Sequence, residues 1–344
     1  MKGGSLVRRW CNVRPAGILI LLCSWALLFT SCQPRVSEGD IAFLCGRQGV
    51  ARICITSWDG SIQRILTDGH YEVVGTPAWS PDGARIAYAE ALPDGRTQIH
   101  IMNADGSGNA RLTYDEADDF GPVWSPDGEY IAFTSNHENF EINLIRPDGG
   151  GRFNLSNHPS ADMVPAWSPD SERVAFYSIR DGNGDIYVIN ADGSGLVNLT
   201  DSPEDDGAPM WSPDGSRIAF CSFVDGYPDV YLMRSDGLEK MRLTQGARAE
   251  AVVWSPDGRR IAFVSSKDGN AEIYVMEVDG SHQENITNDP AVDLYPAWSP
   301  DGSKLAFMSR RDENAEIYVI NADGSGLYRL TNDPGEDGNP VWQP

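Results

Sequence analysis

One short motif recurs along almost the whole chain. The run Pro-Ala-Trp-Ser-Pro-Asp-Gly at 77–83 returns with small changes, and successive tryptophans stand 43 to 45 residues apart: Trp79, Trp124, Trp167, Trp211, Trp254, Trp298 and Trp342. A fixed period of this length means that one supersecondary unit is repeated. The chain after Asp40 is therefore expected to be a repeat array.

Each repeat predicts four short strands. In the last repeat, the run Ser-Pro-Asp-Gly at 299–302 is typical of a tight turn, because proline presets φ and glycine admits φ > 0. Apolar and β-branched residues then predict strands at 305–309 and 316–320. A second Asp-Gly turn at 323–324 leads to a fourth strand around 328–331. No helical period occurs in the repeats.

Four antiparallel strands in each period of this length are typical of a β-propeller blade. The second strand of the repeat begins seven times, at Ile41, Ile86, Ile131, Val174, Ile218, Ile261 and Leu305, which matches the seven tryptophan strands. The array opens on a second strand and closes on a tryptophan strand at 340–342. We therefore predict an all-β, seven-bladed propeller of four-stranded antiparallel blades, in which the C-terminal strand completes blade one and closes the ring.

The repeats resemble the PD40, or TolB-like (WD40-like), propeller family. The resemblance rests on Trp-Ser-Pro-Asp-Gly followed by Ile-Ala-Phe, as in 254–263, and it covers residues 41–344. It implies a TolB-like β-propeller at 41–344. TolB members of the family carry an extra α/β domain ahead of a six-bladed propeller. Here eight residues, 33–40, form a linker between the leader and blade one, so we expect this chain to lack that domain.

The first 32 residues differ in kind from the repeats. Basic residues open the segment, 16–30 is an almost uncharged apolar run, and Ser31-Cys32 ends it. This pattern is typical of a signal peptide and is too short to cross a bilayer comfortably. The run Phe-Thr-Ser-Cys at 29–32 resembles a bacterial lipobox, which implies a lipid on Cys32. Ordinary secretion and an uncleaved anchor are the alternatives, and all three export the propeller.

The charge of the chain restricts its partners. The formal charge is −23, and removal of the leader, which has four basic residues and no acidic one, takes it to −27. Nucleic acids and anionic lipid surfaces are repelled by such a field. Basic proteins, cations and neutral glycans remain as partners.

Three cysteines lie in the predicted propeller. Cys45 ends the second strand of blade one and Cys54 lies in the third, so a disulfide between them is reasonable in an oxidising compartment. The alternative is a pair of buried free thiols. Cys221 replaces an apolar strand residue and is expected in the core.

Comparison of the repeats separates two faces of the propeller. The Ser-Pro-Asp-Gly and Ala-Asp-Gly-Ser-Gly turns hardly vary, whereas the loops at the other ends of the strands do, and function is expected on such loops. On the variable face, an acid stands five residues before the tryptophan in five repeats: Asp119, Asp162, Asp206, Asp293 and Asp337. We predict that they ring one mouth of the central channel and bind a cation, with Ca²⁺ in the channel as the candidate, or a basic partner. The alternative is that each aspartate caps the turn before the following proline.

Three hairpin loops imitate the opening of a calcium loop. The segments 181–185, 268–272 and 312–316 place oxygen-bearing side chains at positions 1, 3 and 5, so Ca²⁺ is a candidate cofactor. None continues as an EF-hand, and the requirements of a hairpin turn account for the same residues.

Catalytic motifs are lacking in the sequence. It contains no G-x-S-x-G, no H-E-x-x-H and no P-loop. The resemblance extends to oligogalacturonate lyases, which implies a histidine-bound metal in the channel, but His70, His137 and His158 on the variable face form no matching cluster.

We therefore predict a protein that is not an enzyme. It is expected to be a membrane-anchored lipoprotein of the cell membrane or outer membrane, facing the periplasm or the exterior. There it would bind or scaffold protein or glycan partners at the cell envelope. The alternatives are an exported propeller enzyme, such as a polysaccharide lyase or hydrolase, and a sensor of an ion or ligand in the channel.

Overall fold

The computed structural model describes residues 39–47 and 49–344. The predicted signal peptide at 1–32, the lipid site Cys32 and the linker up to residue 38 lie outside these residues. Within the described part of the chain, no helix is long and apolar enough to cross a membrane. The same residues form seven four-stranded antiparallel sheets, which are the blades of a propeller.

The blades follow one another along the chain. Blade one contains β1 (Ile41–Arg47), β2 (Val50–Thr56), β3 (Gln63–Ile65) and β28 (Asp337–Trp342). Blade two contains β4 (Val73–Trp79), β5 (Arg85–Ala91), β6 (Thr97–Asn103) and β7 (Ala110–Arg111). Blade three contains β8 (Asp118–Trp124), β9 (Ile131–Asn136), β10 (Phe140–Ile145) and β11 (Phe153–Asn154). Blade four contains β12 (Asp162–Trp167), β13 (Arg173–Ser178), β14 (Asp185–Asn190) and β15 (Val197–Asn198).

The remaining blades have the same order of strands. Blade five contains β16 (Asp206–Trp211), β17 (Arg217–Val224), β18 (Tyr227–Arg234) and β19 (Met241–Arg242). Blade six contains β20 (Ala249–Trp254), β21 (Arg260–Ser265), β22 (Glu272–Glu277) and β23 (Glu284–Asn285). Blade seven contains β24 (Asp293–Trp298), β25 (Lys304–Asp312), β26 (Asn314–Asn321) and β27 (Tyr328–Arg329).

The C-terminal strand closes the ring as predicted. β28 pairs with β1 in antiparallel register, with Ile41 opposite Trp342 and Ala42 opposite Val341. The innermost strands contact one another in sequence, and β28 contacts both β24 and β4. Blade one is therefore built from both ends of the described chain, and the inner edge of β1 is covered.

The repeated tryptophans tie neighbouring blades together. The indole Nε1–H of Trp79 donates to the Val341 carbonyl at 3.2 Å, and that of Trp342 donates to the Ala297 carbonyl at 3.0 Å. The same bond to the preceding blade is made by Trp124, Trp211, Trp254 and Trp298. Six of the seven repeated tryptophans make this bond and the Trp167 indole does not, so the tryptophan period largely records the spacing of blade-to-blade contacts.

The constant turns are explained by their own local hydrogen bonds. In blade two, the Ser80 hydroxyl donates to Asp82 at 2.5 Å, Asp82 accepts the Ala84 N–H at 3.0 Å, and Gly83 has a φ of +64°. The hydrogen bond from Ser80 is the main cause of the lowered pKa of Asp82. We call the end of the ring that carries these turns and the Asp-Gly turns the turn face, and the opposite end the loop face. The near identity of the turns reflects turn chemistry.

Cys45 and Cys54 form a disulfide, with their Cα atoms 5.8 Å apart. They are not directly opposite, because Cys54 pairs with Phe43 and Cys45 with Arg52, so the bond runs diagonally across β1 and β2. Cys221 is buried in the core between blades five and six.

Candidate functional site

The five predicted aspartates are buried at the loop-face ends of the innermost strands. None exposes more than 3% of its surface: Asp119, Asp162, Asp206, Asp293 and Asp337. Four of them stand opposite a serine of the second strand, as Asp162 does to Ser178 and Asp293 to Ser309. The five side chains are thus buried, and their action as an acidic binding ring at the channel mouth stays a prediction.

Arginines neutralise three of these aspartates. Arg180 Nη2 lies 2.8 Å from Asp162 Oδ2, and Arg311 Nη2 lies 3.0 Å from Asp293 Oδ2. Arg152 Nη1 reaches Asp119 Oδ2 at 3.1 Å. The positive charge expected from a bound cation is therefore supplied at these positions by the protein itself. These contacts also differ from the turn-capping alternative, because the partners are side chains of the blade.

Asp206 has hydroxyl partners. It accepts the Ser202 hydroxyl at 2.8 Å. Burial raises the pKa of Asp206, although hydrogen bonds from Ser222, Ser202 and Thr200 act in the opposite direction. Burial likewise raises the pKa of Asp119 and of Asp293. Ionisation of these groups costs stability in the fold, and neighbouring hydroxyls and guanidinium groups offset part of that cost.

A second set of acids lies at equivalent positions on the third strands. The sequence did not lead us to predict them as a set. Five blades place a buried carboxylate there: Glu141, Asp185, Asp229, Glu272 and Glu316. Each accepts a hydroxyl 15 residues further on, at 2.6 to 2.8 Å, from Ser156, Thr200, Thr244, Thr287 and Thr331 respectively. Each also accepts a backbone N–H of the following blade-to-blade loop. These acids fix the loops of the loop face, and the constant spacing is a signal that could have revealed them.

The three segments that resemble calcium loops, 181–185, 268–272 and 312–316, also fix the loops of the loop face. In 312–316, Asp312 accepts the Tyr318 hydroxyl, and the Asn314 amide donates to the carbonyls of Asp333 at 2.9 Å and Gly335 at 2.5 Å. The segments at 181–185 and 268–272 repeat these contacts. The side chains therefore tie each hairpin to the next blade-to-blade loop.

One group of carboxylates in the described residues has the spacing of a metal site. Single oxygens of Glu316, Asp333 and Asp337 lie within 4.8 Å of one another. Glu316 already receives Arg329 Nη2 at 2.6 Å and the Thr331 hydroxyl at 2.6 Å. A Ca²⁺ ion would compete with that guanidinium for Glu316, so these residues fit an all-oxygen calcium site poorly. Calcium binding in the channel stays a prediction.

A polar pocket opens in blade three on the loop face. Its volume is about 660 Å³, and its lining includes His137, Glu138, Asn143, Arg152 and His158. We call it the blade-three pocket. It brings together two of the three histidines assigned to this face, whereas His70 lies beside Asp68 at 3.5 Å.

A buried acid–histidine pair marks the corresponding end of blade two. His100 Nδ1 lies 3.6 Å from Glu90 Oε2. Burial, with a smaller effect of Asp68, raises the pKa of Glu90 to about 7, and burial lowers the pKa of His100. Glu90 occupies the position at which blades three to seven have serine, so the repeat pattern gave no warning of it.

The buried acids and asparagines that fix the loops form what we call the frame of the loop face. The closed ring and this frame define a propeller that presents its variable loops from a rigid scaffold. Its family follows from the sequence repeats: the TolB β-propeller domain matches residues 30–142, 137–252 and 245–344. The chain belongs to that family.

Relatives with known names are diverse. The chain is 40% identical over 68 residues to dipeptidyl-peptidase 5 of Porphyromonas gingivalis, a match that covers 18% of this chain and 10% of that protein. TolB from Acinetobacter baumannii superposes with a TM-score of 0.59 at 20% identity, covering 88% of this chain and 82% of that one. An oligogalacturonate lyase in complex with manganese gives a TM-score of 0.65 at 16% identity, covering 87% of both chains. The two structures share the fold, and the peptidase match spans a small part of its length.

Proposed function

We propose that the protein is an exported, membrane-anchored propeller that binds or scaffolds a protein or glycan partner at the cell envelope through its loop face. The observation that carries this proposal is the contrast between varied loop residues and the repeated frame beneath them. Binding residues are commonly displayed on loops held by a rigid scaffold.

The frame joins each hairpin that has such an asparagine to the blade-to-blade loop that follows it. The asparagine amide donates to two carbonyls of that loop, as Asn183 does to Ser202 and Glu204 at 2.8 and 2.9 Å. Because two neighbouring loops are fixed together, a partner would meet a preorganised surface and lose less conformational entropy on binding.

Several apolar side chains are exposed on this surface. In the blade-five hairpin, Phe223 is 51% exposed, and Tyr227 is exposed with the Arg248 guanidinium 4.3 Å from its ring centre. Aromatic residues and arginine are enriched where proteins bind partners. We infer that this hairpin contributes to a contact surface for a protein.

The direction of blade one supports anchoring from the opposite side. β1 runs from the turn face to the loop face, and Gln343 donates its N–H to the Asp40 carbonyl at 2.8 Å just before β1. The described chain therefore enters the propeller at its turn face, the end opposite the proposed binding surface. Cys32→Ala should abolish labelled palmitate incorporation and move the protein out of the membrane fraction or stall its processing. Wild-type protein without a lipid adduct in mass spectra contradicts the anchor.

The test of partner binding is capture from detergent-solubilised envelope with the full chain as bait. Replacement of Phe223 and Tyr227 by alanine should reduce the captured partner at least tenfold. Leu238→Ala is the matched control, because Leu238 is 59% exposed but lies on the turn face. Equal capture by all three proteins, or loss only with Leu238→Ala, contradicts the loop-face assignment.

A glycan-acting enzyme is the second candidate. The observation in its favour is the blade-three pocket, where His137, His158 and Glu138 supply groups that can transfer protons. Polysaccharide cleavage that is lost in His137→Ala and His158→Ala would establish it. Saccharide binding with no cleavage would favour the binding module.

A further inference from the structure

Blade three differs from blades four to seven within its third strand. At the position of Asn143, four other blades have tyrosine: Tyr187, Tyr231, Tyr274 and Tyr318. Each tyrosine ring lies 5.5 to 6.0 Å from the ring of the second-strand phenylalanine. In blade three the Arg152 guanidinium lies 5.1 Å from the corresponding Phe133 ring instead. The volume of a tyrosine ring is thus only partly refilled.

The hairpin above this position is also different. Ser135 and Glu141 are six residues apart, whereas Ser178 and Asp185 in blade four are seven apart. The shorter hairpin has no counterpart of the Asp-Gly of blade four and carries His137 and Glu138. These two side chains form no hydrogen bond or ion pair with any residue that the structure describes. Both changes enlarge the blade-three pocket.

The other blades serve as an internal control for what the fold requires. Blades four to seven fold with the tyrosine in place, so the propeller accepts a large aromatic side chain at this position. The residues around the pocket therefore do not follow from the needs of the propeller. They point to a ligand.

The charges of the pocket disfavour an anion. Arg152 contributes a guanidinium group to the lining, and this group forms ion pairs with Asp115 at 2.7 Å and Asp119 at 3.1 Å. Glu138 and Glu141 add further negative charge to the lining. A phosphate or uronate would meet an arginine that is already neutralised and carboxylates that repel it.

The remaining groups suit hydroxyls. Asparagine amides and histidine rings both donate and accept hydrogen bonds, and Asn143, Asn154 and Asn157 line the pocket with His158. His158 Nδ1 accepts the Ser160 N–H at 3.2 Å, which places the ring N–H on Nε2. Tyr114, the residue before Asp115 of the lining, is 72% exposed, and the Arg111 guanidinium lies 4.8 Å from its ring centre.

We propose that the blade-three pocket binds a short neutral saccharide, a proposal that rests on the loop face being the binding surface. The volume of about 660 Å³ lies within the usual range of small-molecule sites. Donors and acceptors around the pocket would recognise the hydroxyls, and the unpaired side chains of His137 and Glu138 would close over the ligand.

The test measures saccharide binding to the full chain by saturation-transfer NMR and calorimetry. The probes are cellobiose, maltose and diacetylchitobiose as neutral disaccharides, digalacturonate as an anion, and spermidine as a cation. Asn143→Tyr is the blocking variant, because it installs the residue that four other blades accept at this position. His282→Ala, an exposed histidine on the turn face, is the matched control.

At least one neutral disaccharide is expected to bind, with at least tenfold weaker binding in Asn143→Tyr and unchanged binding in His282→Ala. Binding of spermidine or digalacturonate alone, or saccharide binding that Asn143→Tyr leaves intact, overturns the proposal. If no probe binds while the envelope partner is still captured through Phe223 and Tyr227, the saccharide proposal fails and the proposed function stands. If capture fails as well, both fail.

Discussion

The two faces of the ring use aspartate in opposite ways, and blade seven shows both. On the turn face, Asp301 is exposed and accepts hydrogen bonds from Ser299 and Ser303, two residues away on either side. The hydrogen bond from Ser299 is the main cause of its lowered pKa. On the loop face, Asp293 is buried against Arg311, 18 residues away, and burial raises its pKa. A turn stabilised by its own residues can be repeated unchanged. An ion pair between distant segments, which we call a brace, changes from blade to blade with the residues that form it.

Loss of the end of the closing strand should have the largest effect, because it removes the bonds by which β28 and the residue after it join blades seven and two. Deletion of residues 340–344 takes away Trp342, its bond to Ala297, and the Gln343 amide that donates to the Gly83 carbonyl at 2.8 Å. The free energy of unfolding should fall by roughly 5 kcal/mol or more, since an inner edge is exposed. Urea denaturation measures it. Removal of Pro344 alone is the control, and an unchanged Tm after the larger deletion contradicts the closure.

The buried aspartates of the loop face should also contribute strongly. Replacement of Asp162, Asp206 and Asp293 together by asparagine leaves Arg180 and Arg311 without their counter-charges, so stability should fall by about 3 kcal/mol or more. Because the arginines supply the positive charge, millimolar calcium should leave the Tm of both proteins unchanged. A calcium-dependent rise in the wild type that disappears in the triple variant would instead establish the cation site.

A single pair of variants compares the faces directly. Glu316→Ala should cost about 3 to 5 kcal/mol, because Arg329 and Thr331 lose a buried partner. Asp301→Ala should cost about 1 kcal/mol, the usual contribution of exposed turn hydrogen bonds. Chemical denaturation of both proteins gives the difference, and equal losses would erase the distinction between braces and turns.

The pH dependence of stability should have opposite signs on the two faces. The pKa of Glu90 is raised to about 7 by burial, so the folded state holds its proton more tightly than the unfolded state does. Its contribution should decline as pH rises from about 4.5 to 7, by about 2 kcal/mol after allowance for solvent screening. Asp59 on the turn face has a pKa lowered to about 2, chiefly by the Ser57 hydroxyl. Its contribution should be complete above pH 4 and disappear toward pH 2.

Glu90→Gln and Asp59→Asn separate the two contributions. The stability of each variant is compared with that of the wild type between pH 2 and pH 8. Relative to the wild type, Glu90→Gln should gain stability as pH rises through the upper window. Asp59→Asn should lose relative stability as pH rises through the lower one. A difference that is independent of pH in either case contradicts the assigned shift.

The sequence by itself determined the architecture. The tryptophan period, the Ser-Pro-Asp-Gly turns and the mismatch between the ends of the array predicted seven blades and the closing strand, because these features depend on residues within a few positions of one another or on one fixed spacing. The presence of an acid before Trp167 or Trp298 was equally visible. Its role was not, because Arg180 and Arg311 reach Asp162 and Asp293 only after the blade has folded.

Only the tertiary structure decided the backbone conformation of the innermost strands and the position of the pocket on the loop face. Every innermost strand except that of blade two has a residue of positive φ three positions before the tryptophan, including Val164 at +58° and Tyr295 at +58°. Side chains of this type avoid that conformation, so the packing of the strand imposes it. The blade-three pocket likewise exists because Asn143, a shortened hairpin and Arg152 meet in space. None of these features is unusual in the sequence, and the pocket follows from the absence of the tyrosine that blades four to seven possess.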